Sequence, residues 1–314
     1  MEKFSGIRKD LGINKPSLPH VCVDRKEARG SGRLRDRPDE IWNLQTLHVY
    51  DADNGICMIS RQIDKKTNEI PVILKVLKTM DLRGVLVTFD ALHTQKTTVE
   101  IIVKGKGYFM GGLKGNQKML NEEARLFFDE HYLKQVTEDP KRYYKITEKA
   151  HSHVETREFS LAPVKHSPGS SFDQWPDIRT VVRYKKTIDI CTGDGKKRTE
   201  IRYYVTNLWD AKNCRYGIRS HWEVANNFYW QLDVKFGDDS NLTVNHKASG
   251  NLSLLKNMVL SLYKLLQPFE KKRTSLNMIR VDFSACFEET MQKLLTLCDD
   301  KSLKCALGAA AHKK

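Results

Sequence analysis

A mixed α/β fold, helices flanking a central sheet, is what this sequence predicts, on three observations. Strand-like and helix-like segments alternate from residue 20 to about residue 140. Two β-type runs, Val21-Cys22-Val23-Asp24 and Gly84-Val85-Leu86-Val87-Thr88-Phe89-Asp90, each climb to an aspartate and then break. From Trp209 onward the apolar spacing turns helical.

The elements follow in order. After the strand ending at Asp24, the segment RKEARGSGRLRDRPDE is expected as a basic loop, because Gly30, Gly32 and Pro38 oppose regular structure. LQTLHVYD and GICMISRQI are strands joined by Ala52-Asp53-Asn54-Gly55, whose Asn-Gly pair marks a tight hairpin. Asn68-Glu69-Ile70-Pro71 opens a helix with Ile73, Val76, Leu77 and Met80 along one face. The strand ending at Asp90 is followed by a helix through TTVEIIVK, a strand GYFMGGLKGN and one helix, QKMLNEEARLFFDEHYLKQV. Residues 141–206 read as a β-rich insertion, with a hairpin turn at Thr192-Gly193-Asp194-Gly195. Ile218, Trp222, Ala225, Tyr229 and Leu232 then fall at helical spacing as an apolar stripe. A further helix, ASGNLSLLKNMVLSLYKLL, stops before Pro268, and CFEETMQKLLTL is amphipathic. The domain expectation is a remnant over 1–20, a core over 21–266 and a helical tail over 267–314.

Composition narrows the partners. The 314 residues carry 53 Lys+Arg against 39 Asp+Glu, a net charge of +14, which favours a polyanion, nucleic acid first, with a merely solvated basic surface as the alternative. No apolar run reaches the roughly 18 residues that span a bilayer, and the start, charged and broken by Pro16 and Pro19, does not read as a signal peptide. Seven widely spaced cysteines without a C-x-x-C fit reduced thiols in a cytoplasm rather than a disulfide framework or a zinc site. His151 and His153 lack a third ligand at zinc spacing. Two carboxylates at the ends of buried strands can share a divalent metal; alternatively each turns the chain or caps the next element.

Several longer motifs, in order, resemble the H-repeat-associated (ISAs-type) transposases of bacterial insertion sequences, a DDE family. The family's Asp-Gly-Lys-x-x-Arg stands as Asp24-Arg25-Lys26-Glu27-Ala28-Arg29, and its KSNEI as Lys66-Thr67-Asn68-Glu69-Ile70. T-x-D-A-x-x-x-Q is matched by Thr88-Phe89-Asp90-Ala91-Leu92-His93-Thr94-Gln95, and LKGNQ by Leu113-Lys114-Gly115-Asn116-Gln117. HGRxExR is similar to the run from His151 to Arg157, and IRxHWxxENxxHWxLDVxFxED to the run from Ile218 to Asp239. The resemblance covers residues 20 to 265 and implies an RNase H-like core.

That resemblance implies DNA cleavage and strand transfer with Mg²⁺ or Mn²⁺ held by Asp24 and Asp90, double-stranded insertion-sequence ends as partner, and DNA contacts from Lys26, Arg29, Lys114, Asn116, Gln117, Arg157 and Arg219. Arg33, Arg35 and Arg37 would line the basic loop. Self-association stays open, and the expected location is a bacterial cytoplasm at the nucleoid. Three departures weaken the activity implied: Arg25 replaces a glycine, some hundred N-terminal residues of the family are missing, and the third acid aligns with Ala225. Glu223 is a poor substitute, since two helical residues turn the side chain by about 200°. The alternatives are a non-catalytic DNA-binding protein, such as a repressor or dominant-negative partner of an intact relative, or a decaying remnant.

Overall fold

The computed structural model describes residues 18–31, 43–63, 69–149, 153–164, 168–190, 197–243, 245–267, 274–289 and 291–292. Features expected at Arg33, Arg35, Arg37, Lys66, Thr67, His151 and 192–195, and most of the expected remnant and tail, lie outside the described residues. The strands are β1 (His20–Ala28), β2 (Leu44–Asp51), β3 (Ile56–Ile63), β4 (Leu86–Phe89), β5 (Tyr108–Leu113), β6 (Tyr143–Lys149), β7 (His153–Pro163), β8 (Thr180–Ile190) and β9 (Lys197–Thr206). The longer helices are α1 (Glu69–Lys78), α2 (Lys96–Lys104), α3 (Lys118–Leu126), α4 (Glu130–Val136), α5 (Ala211–Glu223), α6 (Trp230–Phe236), α7 (His246–Leu266) and α8 (Leu276–Ala285), with a π-helical stretch, Val224–Tyr229, between α5 and α6. None among the described residues is long and apolar enough to cross a membrane.

The chain divides into two compact units. The larger comprises His20–Asp24 and Asn68–Trp222. In it the opening of β1 runs parallel to β4, with Cys22 opposite Thr88 and Val23 opposite Phe89, and β4 runs parallel to β5. The β4–α2–β5 crossover is the helical connection that parallel strands require. Val21, Cys22, Val23, Leu86 and Val87 are all buried, the near-continuous burial of strands covered on both faces. Helix α2 turns Val99 and Ile102 inward and α1 turns Ile73, Val76 and Leu77, and the two helices pack together. Beyond β5 the order continues β9-β8-β7-β6, all antiparallel, so the β-rich insertion extends the sheet. The smaller unit consists of the described parts of Arg25–Thr67 and Glu223–Lys314. Its hairpin β2–β3 turns through Gly55, whose φ of +73° only glycine adopts freely, and α7 lies across that hairpin. The architecture is a mixed sheet flanked by helices.

Three expectations are corrected. Strand β1 does not break at Asp24; it runs to Ala28, because Lys26 and Ala28 point inward and are buried. The helix expected over 117–136 is two, separated where Asp129 accepts a hydrogen bond from the Tyr132 amide at 2.6 Å and caps α4. The stripe through Trp222 and Ala225 is displaced: the π turn adds a residue, and Ile218, Val224, Phe228, Tyr229 and Leu232 are buried while Ala225 is exposed.

Candidate active site

The parallel ladder fixes the two aspartates. Val23 faces Phe89 across strands about 4.8 Å apart, so the next residues, Asp24 within β1 and Asp90 just past the end of β4, lie side by side. They share a sheet face with Cys22 and Thr88, two residues earlier on each strand. Strand β4 ends at once in a turn that is heavily tied. The Asp90 carboxylate accepts a hydrogen bond from the His93 amide at 3.1 Å. Thr94 Oγ1 donates toward the Asp90 carbonyl at 3.0 Å and the Gly112 carbonyl at 2.8 Å. A β-carbon on Gly111 would sit 2.6 Å from the Phe89 ring and 2.7 Å from Thr94 Oγ1, so only glycine admits this turn against β5. From the far side Asn116 donates to the Ala91 carbonyl at 2.6 Å and Gln117 to the Thr94 carbonyl at 3.0 Å. The two motifs, around Asp90 and around Gly115, are therefore one structure, and the amides expected to meet DNA hold the turn.

Charge at the site is set by His93, which is 1% exposed. Its Nδ1 lies 3.1 Å from Asp90 Oδ1 and its Nε2 3.2 Å from Glu69 Oε2, in the first turn of α1. Burial alone would favour neutral imidazole, but two carboxylates outweigh it and push the His93 pKa up to about 9. Burial would likewise raise Asp90, and the His93 contacts overcome it and hold the carboxyl down to about 2. Beneath the aspartates, Thr88 Oγ1 gathers His20 Nε2 at 2.9 Å, His221 Nδ1 at 3.1 Å and Cys22 Sγ at 3.3 Å. Burial drives His20 to about 3; it also drives His221 to about 4, with Asp90 opposing and His93 assisting. Both rings are neutral at pH 7. Helix α5 reaches this floor because Gly217 approaches so closely that a β-carbon would meet Leu86 Cδ2 at 3.0 Å, and one turn later the helix presents His221 to Thr88.

An ionised Asp90 beside Asp24 supplies hard oxygen ligands of the kind Mg²⁺ accepts while it keeps several waters. Among the described residues no group of three or more His, Cys, Asp or Glu is placed to hold a metal.

The other expected site residues are dispersed. Lys26 is not a surface contact: within the smaller unit it is 7% exposed, with Nζ 2.6 Å from Asp233, 3.1 Å from Asp239 and 3.4 Å from Asp238. Burial opposes its charge, yet these carboxylates raise its pKa. It ties the first motif to the Leu232–Asp239 motif, as does the Arg29 amide donating to Asp239 at 3.4 Å; the Arg29 side chain is exposed. In the larger unit, Arg157 pairs with Glu148 and Glu155, and Arg219 with Glu148 at 3.2 Å. Lys114 is exposed just after β5. Trp222, placed on the apolar stripe by spacing, is 41% exposed, with the Arg202 guanidinium 3.9 Å over its ring. Glu223 is exposed. Sequence reasoning missed Glu69, His93, His20 and His221 as site residues. Thr88 and His93 lay inside a motif already quoted, and the alternation His20-Cys22-Asp24 was the available signal for the floor.

The chain belongs to the family described as Transposase DDE domain, whose model matches residues 15–260. It is 27% identical over 225 residues to YbfL of Escherichia coli K12, covering 70% of this chain and 57% of that protein. The same figures hold for the "H repeat-associated putative transposase" YhhI of that strain, and YbfD, of like description, is 37% identical over 137 residues, 44% of this chain and 52% of its own. The chain spans 57–61% of the length of the first three curated relatives it matches. A DDE domain implies, in general, dependence on a divalent metal ion.

Proposed function

We propose that this chain is a DDE transposase of a bacterial insertion element that binds double-stranded DNA and holds Mg²⁺ through Asp24 and Asp90, with strand transfer impaired by the alanine at 225. The observation that carries this reading is the parallel register of β1 and β4, which runs to Val23 opposite Phe89 with Asp24 and Asp90 the next residues. A metal bound there would supply the Lewis acidity that activates a water or 3′-hydroxyl and stabilises the leaving oxygen of an in-line displacement. Asp90 binds as a carboxylate because His93 keeps it ionised. The neutral His20 and His221 floor adds no cation to compete. Lys114, exposed beside the turn that Asn116 and Gln117 brace, meets phosphate oxygens and fixes register rather than sequence. Arg157 and Arg219 join it only by exchanging Glu148 for a phosphate.

A second reading, a DNA-binding protein without strand transfer, is favoured by Ala225, which cannot ligate a metal. Both are tested on DNA carrying the element's ends. The expected result is binding whose affinity falls steeply with salt, as several phosphate contacts require, and cleavage no faster than that of Asp90→Asn. Salt-independent affinity would remove DNA as the partner, and strand transfer that Asp90→Asn abolishes would remove the impairment. Ala225→Glu, returning the third carboxylate of the family alignment, should gain a larger Mg²⁺-dependent rise in melting temperature than the wild type. No gain there, with a shift lost in Glu223→Ala, would make Glu223 the working ligand.

A further inference from the structure

We propose that Glu69 and His93 are positioning residues that clamp one oxygen of the Asp90 carboxylate and so direct the other to the ligand position; the inference rests on Asp90 as a metal ligand. The geometry that points to it is a chain of close contacts inside the larger unit. Glu69 Oε2 lies 3.2 Å from His93 Nε2, and His93 Nδ1 lies 3.1 Å from Asp90 Oδ1. The same Oδ1 also accepts the His93 backbone amide at 3.1 Å. The amide hydrogen bond and the ring contact of one residue thus fall on the same oxygen and leave Oδ2 as the coordinating atom.

The relay is buried at its root and open at its tip. Glu69 is 5% and His93 1% exposed, whereas Asp90 is 41% exposed. Glu69 is buried at the start of α1, where a charge needs a partner, and His93 Nε2 is one at 3.2 Å. A surface ion pair would not need that burial. The arrangement is the carboxylate–imidazole pairing that orients metal-binding groups, moved one step outward: here the imidazole serves an aspartate rather than the ion. It also gives a role to Glu69, which the family motif contains and the mechanism above does not use.

The test is calorimetric titration with Mn²⁺ alone, at one neutral pH, of the full chain and of His93→Gln, Glu69→Gln, the double variant and Asp90→Asn, each with a metal-free melt. Asp90→Asn should abolish binding. His93→Gln should weaken it roughly 10-fold or more and Glu69→Gln several-fold, the range seen when supports of metal ligands are removed. The double variant should bind no worse than His93→Gln, because Glu69 reaches Asp90 only through the imidazole. A purely structural role predicts instead that the two losses multiply. Should His93→Gln not fold, Glu69→Gln, which leaves the imidazole on Asp90, decides alone: affinity equal to wild type overturns the clamp. So does wild-type affinity in a folded His93→Gln, or multiplied losses in the double variant, when Asp90→Asn still abolishes binding. Absence of Mn²⁺ binding in the wild type, or binding that survives Asp90→Asn, overturns the site itself.

Discussion

Replacing Lys26 by methionine keeps the length of the side chain and removes its charge from among three carboxylates. Asp238 is 2% exposed and retains Lys256 at 3.2 Å, so it is not left alone. Asp233 and Asp239 are 32% and 33% exposed. Removing one partner of a buried ion pair costs about 3–5 kcal/mol, and water reaching Asp233 and Asp239 moves the figure to the lower end, about 3 kcal/mol. Urea denaturation of wild type and Lys26→Met at pH 7 measures it. The loss should shrink on acidification. Without the ammonium the clustered carboxylates repel one another, and protonating them on acidification relieves that repulsion. Stability within about 0.5 kcal/mol of wild type, together with lost DNA affinity, would refute the buried cage and return Lys26 to the phosphate contact expected from its motif.

Two further outcomes are expected. His93, raised to about 9, contributes stability that is complete below its unfolded pKa near 6.5 and is lost as pH rises through about 9. Asp90, lowered to about 2, contributes stability present above about 3.8 and lost as pH falls through about 2. Denaturant midpoints should therefore decline from pH 6.5 to 9 in the wild type and much less in His93→Gln; equal slopes would show that His93 is not the titrating group. Gly111→Ala should cost about 1–3 kcal/mol by overpacking against Phe89 and Thr94 and should weaken Mn²⁺ binding with it, since the displaced turn carries Asp90; an unchanged melt and affinity would show that the turn yields without moving the carboxylate.

Local signals in the sequence identified the elements, and long-range pairing decided what the residues do. The Asn-Gly turn of β2–β3 and the apolar face of α1 are set within a few residues; both form, with Met80 past the end of α1. Asp24 and Asp90 were expected as a pair because each ends a β-type run, and the parallel register of β1 and β4 runs up to the residues before them. Lys26 was misread because its acids lie more than two hundred residues along the chain, in a motif that looked independent. The same blindness hid Glu69: nothing local to α1 announces that its first carboxylate faces an imidazole at His93.

The stripe through Trp222 and Ala225 failed for a different reason, and the failure bears on function. Counting at 3.6 residues per turn holds only while the helix stays α, and the π-helical stretch Val224–Tyr229 slips the count where the family's third acid aligns. Val224 and Phe228 take the buried positions, and Ala225 is left exposed. An alanine that faced the core would be held there by packing, and a glutamate in its place would cost the burial of a charge. An exposed alanine carries no such constraint. The smaller unit thus tolerates a carboxylate at 225, and the absence of one is a change in chemistry rather than an adjustment of the core.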